Sequence, residues 1–497
     1  MGNRAFTHAS SPVPPGGEER VGLFYFLWLG EHGRGDPRDI SKITAEHPDA
    51  GQHPEADYWG GIGFMHHWGE PFYGYYYSDD EWVVRRHMKL ILQAGIDFLF
   101  FDTTNAVIYE KNAKLVLRVL EEYYEDGWDI PKVMFYTNTR SGDTVQRIYE
   151  AIYKPRYCRD TWFLWDGKPV IIAVPEDCSE ECRAFFTIKL SQWPNEPDKA
   201  GGWPWMDFVR PQRVFPNLDG VPECINVSVA QHPQIKFGDS VLYGETANRG
   251  RAFHNGRNDP APDAWTKGYN FSEQFERALE VRAPVTLVTG WNEWIAGRWQ
   301  GTEDRPIMFV DCCNQEYSRD IEMMRGGYFD NYYKLLCSYT AKLKGELAEV
   351  VLKPGESADF RGYPDGSFNR DAEGYGTRYV NRTGRYCIRK ILVSREKDGV
   401  RFTLESDRPF DPDDRGGCFM RLWVWNAEGE EIPVSALIRE EGENRVTVTV
   451  PAERITGPYL DFKAADSREE IRAPEDFYDH GDVLPLGYAK YRVCLSD

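Results

Sequence analysis

The chain has 497 residues, more than one hydrophobic core normally serves, so two domains are expected. Its 79 acidic and 59 basic residues give a formal net charge of -20, which opposes binding to nucleic-acid phosphates or to an anionic membrane surface. No run approaches the roughly 18 apolar residues of a membrane span. Aromatic residues reach 14%, and rings combined with carboxylates and amides favour a neutral, polyhydroxylated ligand such as a carbohydrate.

The ten cysteines are scattered and form no CxxC pair, so we expect neither a zinc site nor a cofactor. The adjacent His66 and His67 lack the helical spacing of metal ligands and are interpreted as lining a binding subsite. Unpaired thiols favour a reducing compartment. Residues 1–20 are interpreted as a flexible lead-in without the apolar segment of a signal peptide. A cytoplasmic location is therefore predicted, the alternative being export after removal of a signal peptide.

Strands and helices alternate from Val21 onward. The apolar runs predict eight strands, at 21–29, 96–101, 132–136, 169–174, 184–190, 205–209, 224–230 and from 285. Helical spacing predicts helices at about 79–93, 110–124, 141–153, 272–282 and 317–339. Because nearly every strand finishes in polar or aromatic residues, this rhythm predicts a (β/α)₈ TIM barrel over residues 21–345. Its active site is expected at the carboxyl ends of the strands.

After residue 345 short alternating runs replace the helical periods. The runs at 390–394, 400–405, 419–425 and 445–450 predict an antiparallel β-sandwich over residues 346–497. Trp423 and Trp425 alternate with inward positions and are interpreted as core residues. The chain is thus predicted to be an α/β protein, a barrel followed by a smaller accessory β-sandwich domain.

The stretch VTLVTGWNEWIAGRW, which begins at Val285, is the most informative part of the chain. It starts as a buried strand and ends with Glu293 between Trp291 and Trp294. A carboxyl group in a ring-lined, apolar pocket has a raised pKa, and the rings offer flat faces to sugars. The alternative is a solvated strand end whose tryptophans only pack.

Three patches resemble glycoside hydrolase families 71 and 99, the endo-α-mannanase and endo-α-mannosidase type. They are YFLWLG, YYSDDEWVVRRHMKLILQAGIDFLFFD and GWNEWIAG. The resemblance implies a barrel, a carbohydrate substrate and a role for Glu293. In that family the motif usually continues as Asn-Glu-Trp-x-Glu-Gly, whereas Ala296 stands at the second carboxylate position here. This departure implies a distinct family on the same barrel, with a second carboxylate recruited from elsewhere.

Glycoside hydrolysis generally needs two carboxyl groups, one to protonate the leaving oxygen and one to attack or to activate water. Glu293 is the first candidate, and Asp102, at the end of the second predicted strand, is the next. Glu245 and Glu316 lie on predicted top-side loops and are further candidates for the missing partner. The alternatives are a helix cap for Asp102 and simple solvation for the loop carboxylates.

Further side chains at the predicted strand ends are candidates for substrate binding, each with a structural role as the alternative. The candidate stacking platforms are Trp28, Trp193, Trp291 and Trp299, and the candidate hydroxyl ligands are His67, Asn138, Gln192, Asp207, His232, Arg251 and Asn292. The sequence therefore predicts a glycoside hydrolase with a carbohydrate substrate and no nucleic-acid or membrane partner. The alternatives are a non-catalytic glycan-binding barrel, favoured by Ala296, and a polysaccharide-biosynthesis factor, for which no phosphate-binding motif is present.

Overall fold

The computed structural model describes residues 19–194, 196–232, 240–244, 247–345, 349–409, 420–434, 438–439 and 444–496. Its largest sheet contains eight parallel strands. They are β1 Arg20–Tyr25, β2 Phe98–Thr103, β3 Lys132–Thr137, β4 Lys168–Ala173, β5 Thr187–Gln192, β6 Gly202–Pro204, β7 Pro222–Ser228 and β8 Val285–Thr289. Two short antiparallel strands extend this sheet: Leu164–Trp165 pairs with β4, and Val214–Pro216 pairs with β7.

The eight strands follow the order β6-β5-β4-β3-β2-β1-β8-β7. Consecutive strands are neighbours, and β8 returns to pair with β1, Val21 opposite Thr286. The sheet is therefore nearly closed, and the interruption lies between β6 and β7. This arrangement is consistent with the predicted barrel, whose strands end at a common face.

Alternation along the strands separates an inner from an outer surface. Phe24, Phe98, Phe100 and Tyr136 belong to an inner apolar cluster, in which the rings of Phe24 and Phe100 stack with centroids 4.7 Å apart. The intervening residues, such as Tyr25, join the larger cluster that includes the surrounding helices. Because both faces are covered, the strands are mostly apolar, as is usual for buried parallel sheets.

The helices of the described residues are Ile40–Glu46, Glu81–Gln93, Glu110–Glu125, Ser141–Ile148, Glu180–Phe185, Tyr269–Val281, Asn331–Lys344 and Asp476–Asp479. Asp80 caps the second of them, its side chain accepting a hydrogen bond from the Val83 amide at 3.3 Å. The predicted helix at 141–153 instead ends at Ile148 and continues as a π-turn, Tyr149–Tyr153.

The predicted helix at 317–339 is wrong for its first half, since the helix begins only at Asn331. Residues 319–322 instead run beside the end of β8. The Gly290 amide donates to the Arg319 carbonyl at 3.0 Å, and the Glu322 amide donates to the Trp291 carbonyl at 3.0 Å. These cross-chain bonds replace the helical ones, and they bring charged side chains to the strand ends.

Two strand predictions need smaller corrections. The sixth strand, predicted at 205–209, instead covers Gly202–Pro204. It ends there because the Trp205 carbonyl turns inward and accepts a hydrogen bond from the Asn226 side chain at 3.0 Å. The fifth was predicted from 184, yet residues 184–185 complete the helix that begins at Glu180.

After Gly345 the described chain forms two larger sheets that are antiparallel apart from one pair, and also a two-stranded hairpin. The first contains Val351–Leu352, Arg421–Trp425, Glu431–Ile432, Tyr459–Asp466, Asp482–Leu484 and Tyr491–Leu495; the second contains Ser357–Arg361, Ile388–Glu396, Gly399–Ser406, Ile438–Arg439 and Arg445–Pro451. Phe462 of the first sheet contacts Phe360 and Phe402 of the second, with ring centroids 4.8 and 5.1 Å apart. The two sheets therefore share an apolar interior.

Shorter strands pair outside these sheets. They are Met65–His67 with Ile295–Gly297, Phe253–His254 with Arg257–Asn258, Trp299–Gln300 with Ile307–Met308, and the hairpin Arg370–Gly374 with Thr377–Asn381. Among the helices of the described chain, none has the length and apolar character needed to cross a bilayer.

Candidate active site

Glu293 lies just beyond β8 and is only 3% exposed. Its Oε2 accepts hydrogen bonds from Arg319, from Nε at 3.0 Å and from Nη2 at 2.5 Å. Burial raises the pKa of Glu293 well above its usual value, and the nearby Asp311 and Asp320 raise it further, while Arg319 opposes the shift. The residue is thus an acid held in a dry pocket by one cation.

Arg319 also connects Glu293 to His232, at the end of β7, and to Asp311. Its Nη1 lies 3.1 Å from Nδ1 of His232, and its Nη2 lies 3.4 Å from Oδ1 of Asp311. A guanidinium has no acceptor, so Nδ1 of His232 must accept and the ring proton lies on Nε2. Burial and the neighbouring Arg319 lower the pKa of His232 to about 4, which keeps the ring neutral.

Nε2 of His232 lies 3.5 Å from Oδ1 of Asp311, beyond a normal hydrogen bond. It has no hydrogen-bond partner among the described residues. The Asp311 side chain is 36% exposed, in contrast to the buried Glu293. One wall of the site is therefore a fixed N–H donor beside a carboxylate that solvent can reach.

Asp320 accepts hydrogen bonds from two groups beside the site. Its Oδ2 accepts from the Trp68 indole at 2.8 Å, and its Oδ1 accepts from the Glu293 amide. Burial raises the pKa of Asp320 to about 7, although these hydrogen bonds and Arg251 favour the carboxylate. Asp320 thereby fixes the backbone from which Glu293 projects.

Asp102 ends β2 and is 8% exposed. Its Oδ1 accepts from the Thr104 amide at 3.0 Å, an Asx-type turn. Burial raises its pKa, Asp311 raises it further, and Arg319 lowers it. Because Asp311 and Arg319 act on both Asp102 and Glu293, the three carboxyl groups share one electrostatic environment.

Aromatic rings with unpaired donors surround these charges. Trp205, after β6, lies 5.5 Å from Trp193 and 6.2 Å from His232 between ring centroids, and the Arg319 guanidinium lies 4.9 Å from its ring. The indole N–H groups of Trp28, Trp193 and Trp205 are buried and have no hydrogen-bond partner among the described residues. Buried unpaired donors are costly unless a ligand or water satisfies them.

Several predicted ligands already have protein partners. Asp207 pairs with Arg213 at 2.7 Å, and Asn138 accepts from the Ser191 hydroxyl at 2.8 Å. Gln192 donates to the Trp193 carbonyl at 3.0 Å and accepts from the Lys199 amide at 2.9 Å. Asn292 accepts from the Phe26 amide at 2.9 Å and donates to its carbonyl at 3.1 Å. These contacts brace the strand ends.

Most of the other predicted residues contact groups other than Glu293. Arg251 donates to the Asp320 carbonyl at 2.8 Å, and Glu316 accepts from the Ala252 amide at 3.1 Å. His67 is buried between Tyr75 and Tyr375, and burial lowers its pKa to about 3. Trp291 is fully buried against His87 and Tyr333, Trp299 is 44% exposed, and Glu245 lies outside the described residues.

Sequence reasoning missed Asp311, Arg319, Asp320 and Trp205 as site residues. The first three lie in a polar stretch that the sequence predicts as loop and helix. Their only signal in the sequence is that this stretch directly follows β8. Among the described residues, the one group with metal-ligand proximity is Asp476, Asp479 and His480, in the C-terminal part of the chain. The residues around Glu293 form no such group.

A scan against protein-family models found no match, and a search of curated proteins found none. Solved structures similar to the chain include the GH99 endo-alpha-mannosidase from Bacteroides thetaiotaomicron, with 13% identity over 65% of this chain and 97% of that one and a TM-score of 0.38. A glycoside hydrolase-like protein matches with 14% identity over 69% and 99%, also at 0.38. The chain thus has a divergent GH99-like similarity, as the sequence patches predicted.

Proposed function

We propose that the chain is a glycoside hydrolase, a (β/α)₈ barrel followed by a β-sandwich, that cleaves an oligosaccharide or polysaccharide at the carboxyl ends of the strands. One observation carries the proposal: Glu293 is a buried strand-end acid whose hydrogen-bonding cation, Arg319, also lies 3.4 Å from the carboxylate of Asp311. Groups whose environments differ this much suit acid and base roles in one reaction. The unpaired indole donors of Trp28, Trp193 and Trp205 support a polar ligand above them.

The first test is release of reducing ends from a panel of α- and β-linked glycans. The parent chain is expected to hydrolyse at least one member, and Glu293→Gln is expected to lose about 10²-fold or more of that rate, because the amide cannot donate a carboxyl proton. An unchanged rate for Glu293→Gln would exclude Glu293 from the chemistry. Asp304, on an exposed loop, supplies the matched control: Asp304→Asn removes one acid elsewhere and should leave the rate unaltered.

A non-catalytic glycan-binding protein is the second candidate, and Ala296 favours it. Ala296 is buried and pairs with His66 in a two-stranded ladder, at the position where the resembled family has its second carboxylate. Calorimetric titration with the same glycan panel distinguishes the two functions. Binding without release of reducing ends by any member would establish the binding protein, whereas release by the parent chain would exclude it.

A further inference from the structure

We infer that Asp311 is the second catalytic carboxylate, the nucleophile of a retaining reaction in which Glu293 is the proton donor. This inference rests on the proposed glycosidase function and deepens it. It assigns the partner that the sequence leaves open, in preference to Asp102 and Glu316; Glu245 lies outside the described residues.

Proximity is the first reason. The same atom, Nη2 of Arg319, lies 2.5 Å from Oε2 of Glu293 and 3.4 Å from Oδ1 of Asp311. The two oxygens cannot be farther apart than these two distances laid end to end. That upper limit lies below the ~6.5 Å at which the carboxyl separations of inverting enzymes begin, and it includes the ~5–5.5 Å of retaining ones.

The contrast between the two environments is the second reason. The Glu293 side chain is 4% exposed and the Asp311 side chain 36%. Burial in a dry pocket favours the protonated form of a carboxyl group, as the raised pKa of Glu293 shows. The buried group is therefore suited to donate a proton, and the solvated group is suited to attack.

The fixed state of His232 is the third reason. Its Nδ1 accepts from Arg319, so the proton-bearing nitrogen Nε2 is the one that lies 3.5 Å from Oδ1 of Asp311. Arg319 and His232 thus place two N–H groups near the Asp311 carboxylate, with nitrogen–oxygen distances of 3.4 and 3.5 Å. Asp102 is placed differently: its carboxylate accepts a hydrogen bond from the Thr104 amide within its own turn, and the residue is nearly buried.

The reaction then proceeds in two balanced steps. In the first, an Asp311 oxygen bonds to the anomeric carbon while the glycosidic C–O bond breaks, and the Glu293 proton moves to the departing oxygen. In the second, water attacks the anomeric carbon and transfers a proton to the Glu293 carboxylate, and the bond to Asp311 breaks. The sugar leaves with its original anomeric configuration.

The experiment uses the full chain and whichever glycan of the panel the parent hydrolyses. Asp311→Ala is expected to lose about 10³-fold or more of the rate, with thermal stability within a few degrees of the parent, because Asp311 is partly exposed. Added azide, a small anion that occupies the vacated carboxylate position, should restore turnover and yield a glycosyl azide of inverted configuration. Proton NMR of the parent's first product should show the retained anomer.

Asp102→Ala is the discriminating variant, and Asp304→Ala is the neutral control. Azide rescue of Asp102→Ala but not of Asp311→Ala would overturn the assignment in favour of Asp102, as would an inverted first product. In either case the glycosidase function itself would stand. If the parent chain hydrolysed no glycan of the panel, the proposed function would fail, and the assignment of Asp311 would fail with it.

Discussion

At the scale of single residues, several carboxyl groups of the site lie near a single guanidinium, that of Arg319. Glu293, Asp311, Asp102 and Asp320 all feel the charge of Arg319. Burial raises the pKa of Glu293, Asp102 and Asp320, which favours their protonated forms. Carboxyl groups with a raised pKa suit acid catalysis, and they also make folding stability depend on pH.

Asp320 gives this dependence a testable sign. Its pKa is about 7 in the folded chain and about 3.9 when unfolded. Between these values the folded state binds more protons than the unfolded state, so the contribution of Asp320 to the free energy of unfolding falls as pH rises from about 4 to about 7. Urea denaturation across this range should show the decline in the parent chain relative to Asp320→Asn, which cannot titrate. A difference between the two proteins that stays constant with pH would contradict the prediction.

Residue types alone predicted the centre of the site but not its partners. Glu293 stood out because a short apolar strand runs directly into it. Arg319 and Asp311 could not be found in this way, because their role depends on a chain segment that lies beside β8 rather than forming a helix. Long-range backbone pairing of this kind leaves no periodic signal in the sequence.

At the scale of elements, side chains join the barrel strands near the interruption of the sheet. Lys189 of β5 lies 2.8 Å from both carboxylate oxygens of Glu223 in β7, and the Trp203 indole of β6 donates to the same carboxylate at 2.6 Å. The Lys189 ammonium also lies 4.6 Å from the Trp165 ring centroid. These contacts connect β5, β6 and β7 where β6 and β7 share no strand pairing.

Replacing Lys189 alone should therefore be costly. Lys189→Met leaves Glu223 buried without its cation and is expected to lower the free energy of unfolding by about 3–5 kcal/mol. The double variant Lys189→Met with Glu223→Leu should recover most of the loss, because no uncompensated charge remains. Lys111→Met removes an exposed ion pair instead and should change stability by less than about 1 kcal/mol. Equal losses in the single and double variants would contradict this account.

The hairpin Arg370–Gly374 and Thr377–Asn381 makes a second connection, from the C-terminal part to the loop after β1. Tyr375 at its turn accepts a hydrogen bond from the Gly30 amide at 2.8 Å, and its ring contacts His67 and Tyr77. Tyr375→Phe should cost about 1–3 kcal/mol in urea denaturation, since a buried amide loses its acceptor. Val380→Ala, at a position 54% exposed in the same hairpin, should have little effect. A larger loss from Val380→Ala than from Tyr375→Phe would refute the role assigned to the tyrosine.

At the scale of the whole molecule, the C-terminal part of the chain packs against the outside of the barrel. All but one of the thirteen residues of the helix Glu81–Gln93 are buried, including Arg86, Lys89 and Gln93. A helix on the outside of a barrel normally keeps a polar face in water. Here Lys89 pairs with Asp365 at 2.6 Å, and Gln93 donates to the Leu486 carbonyl at 3.0 Å.

This coverage explains a limit of the sequence prediction. The apolar spacing of Val83, Val84, Leu90 and Ile91 predicted the barrel-facing side of the helix, which the structure has. The polar residues between them carry no local sign of burial. Charges that are buried by pairing with a distant part of the chain have the same composition as charges in water, so no local pattern separates the two.

The barrel and the C-terminal sheets should consequently unfold together. A chain ending at residue 345 would expose the covered face of the helix Glu81–Gln93 and leave Asp80 without Arg370, which pairs with it at 2.7 Å. It would also leave Asp330 without the Tyr478 hydroxyl, 2.7 Å away. Buried groups that lose their partners cost about 1–3 kcal/mol each, and more when charged, against a total stability of about 5–15 kcal/mol. The truncated chain is therefore expected to be insoluble or to lack a cooperative transition in calorimetry, while the full chain should give a single one. Two well-separated transitions in the full chain, or a truncated barrel that melts at the temperature of the parent, would show instead that the two parts are independent.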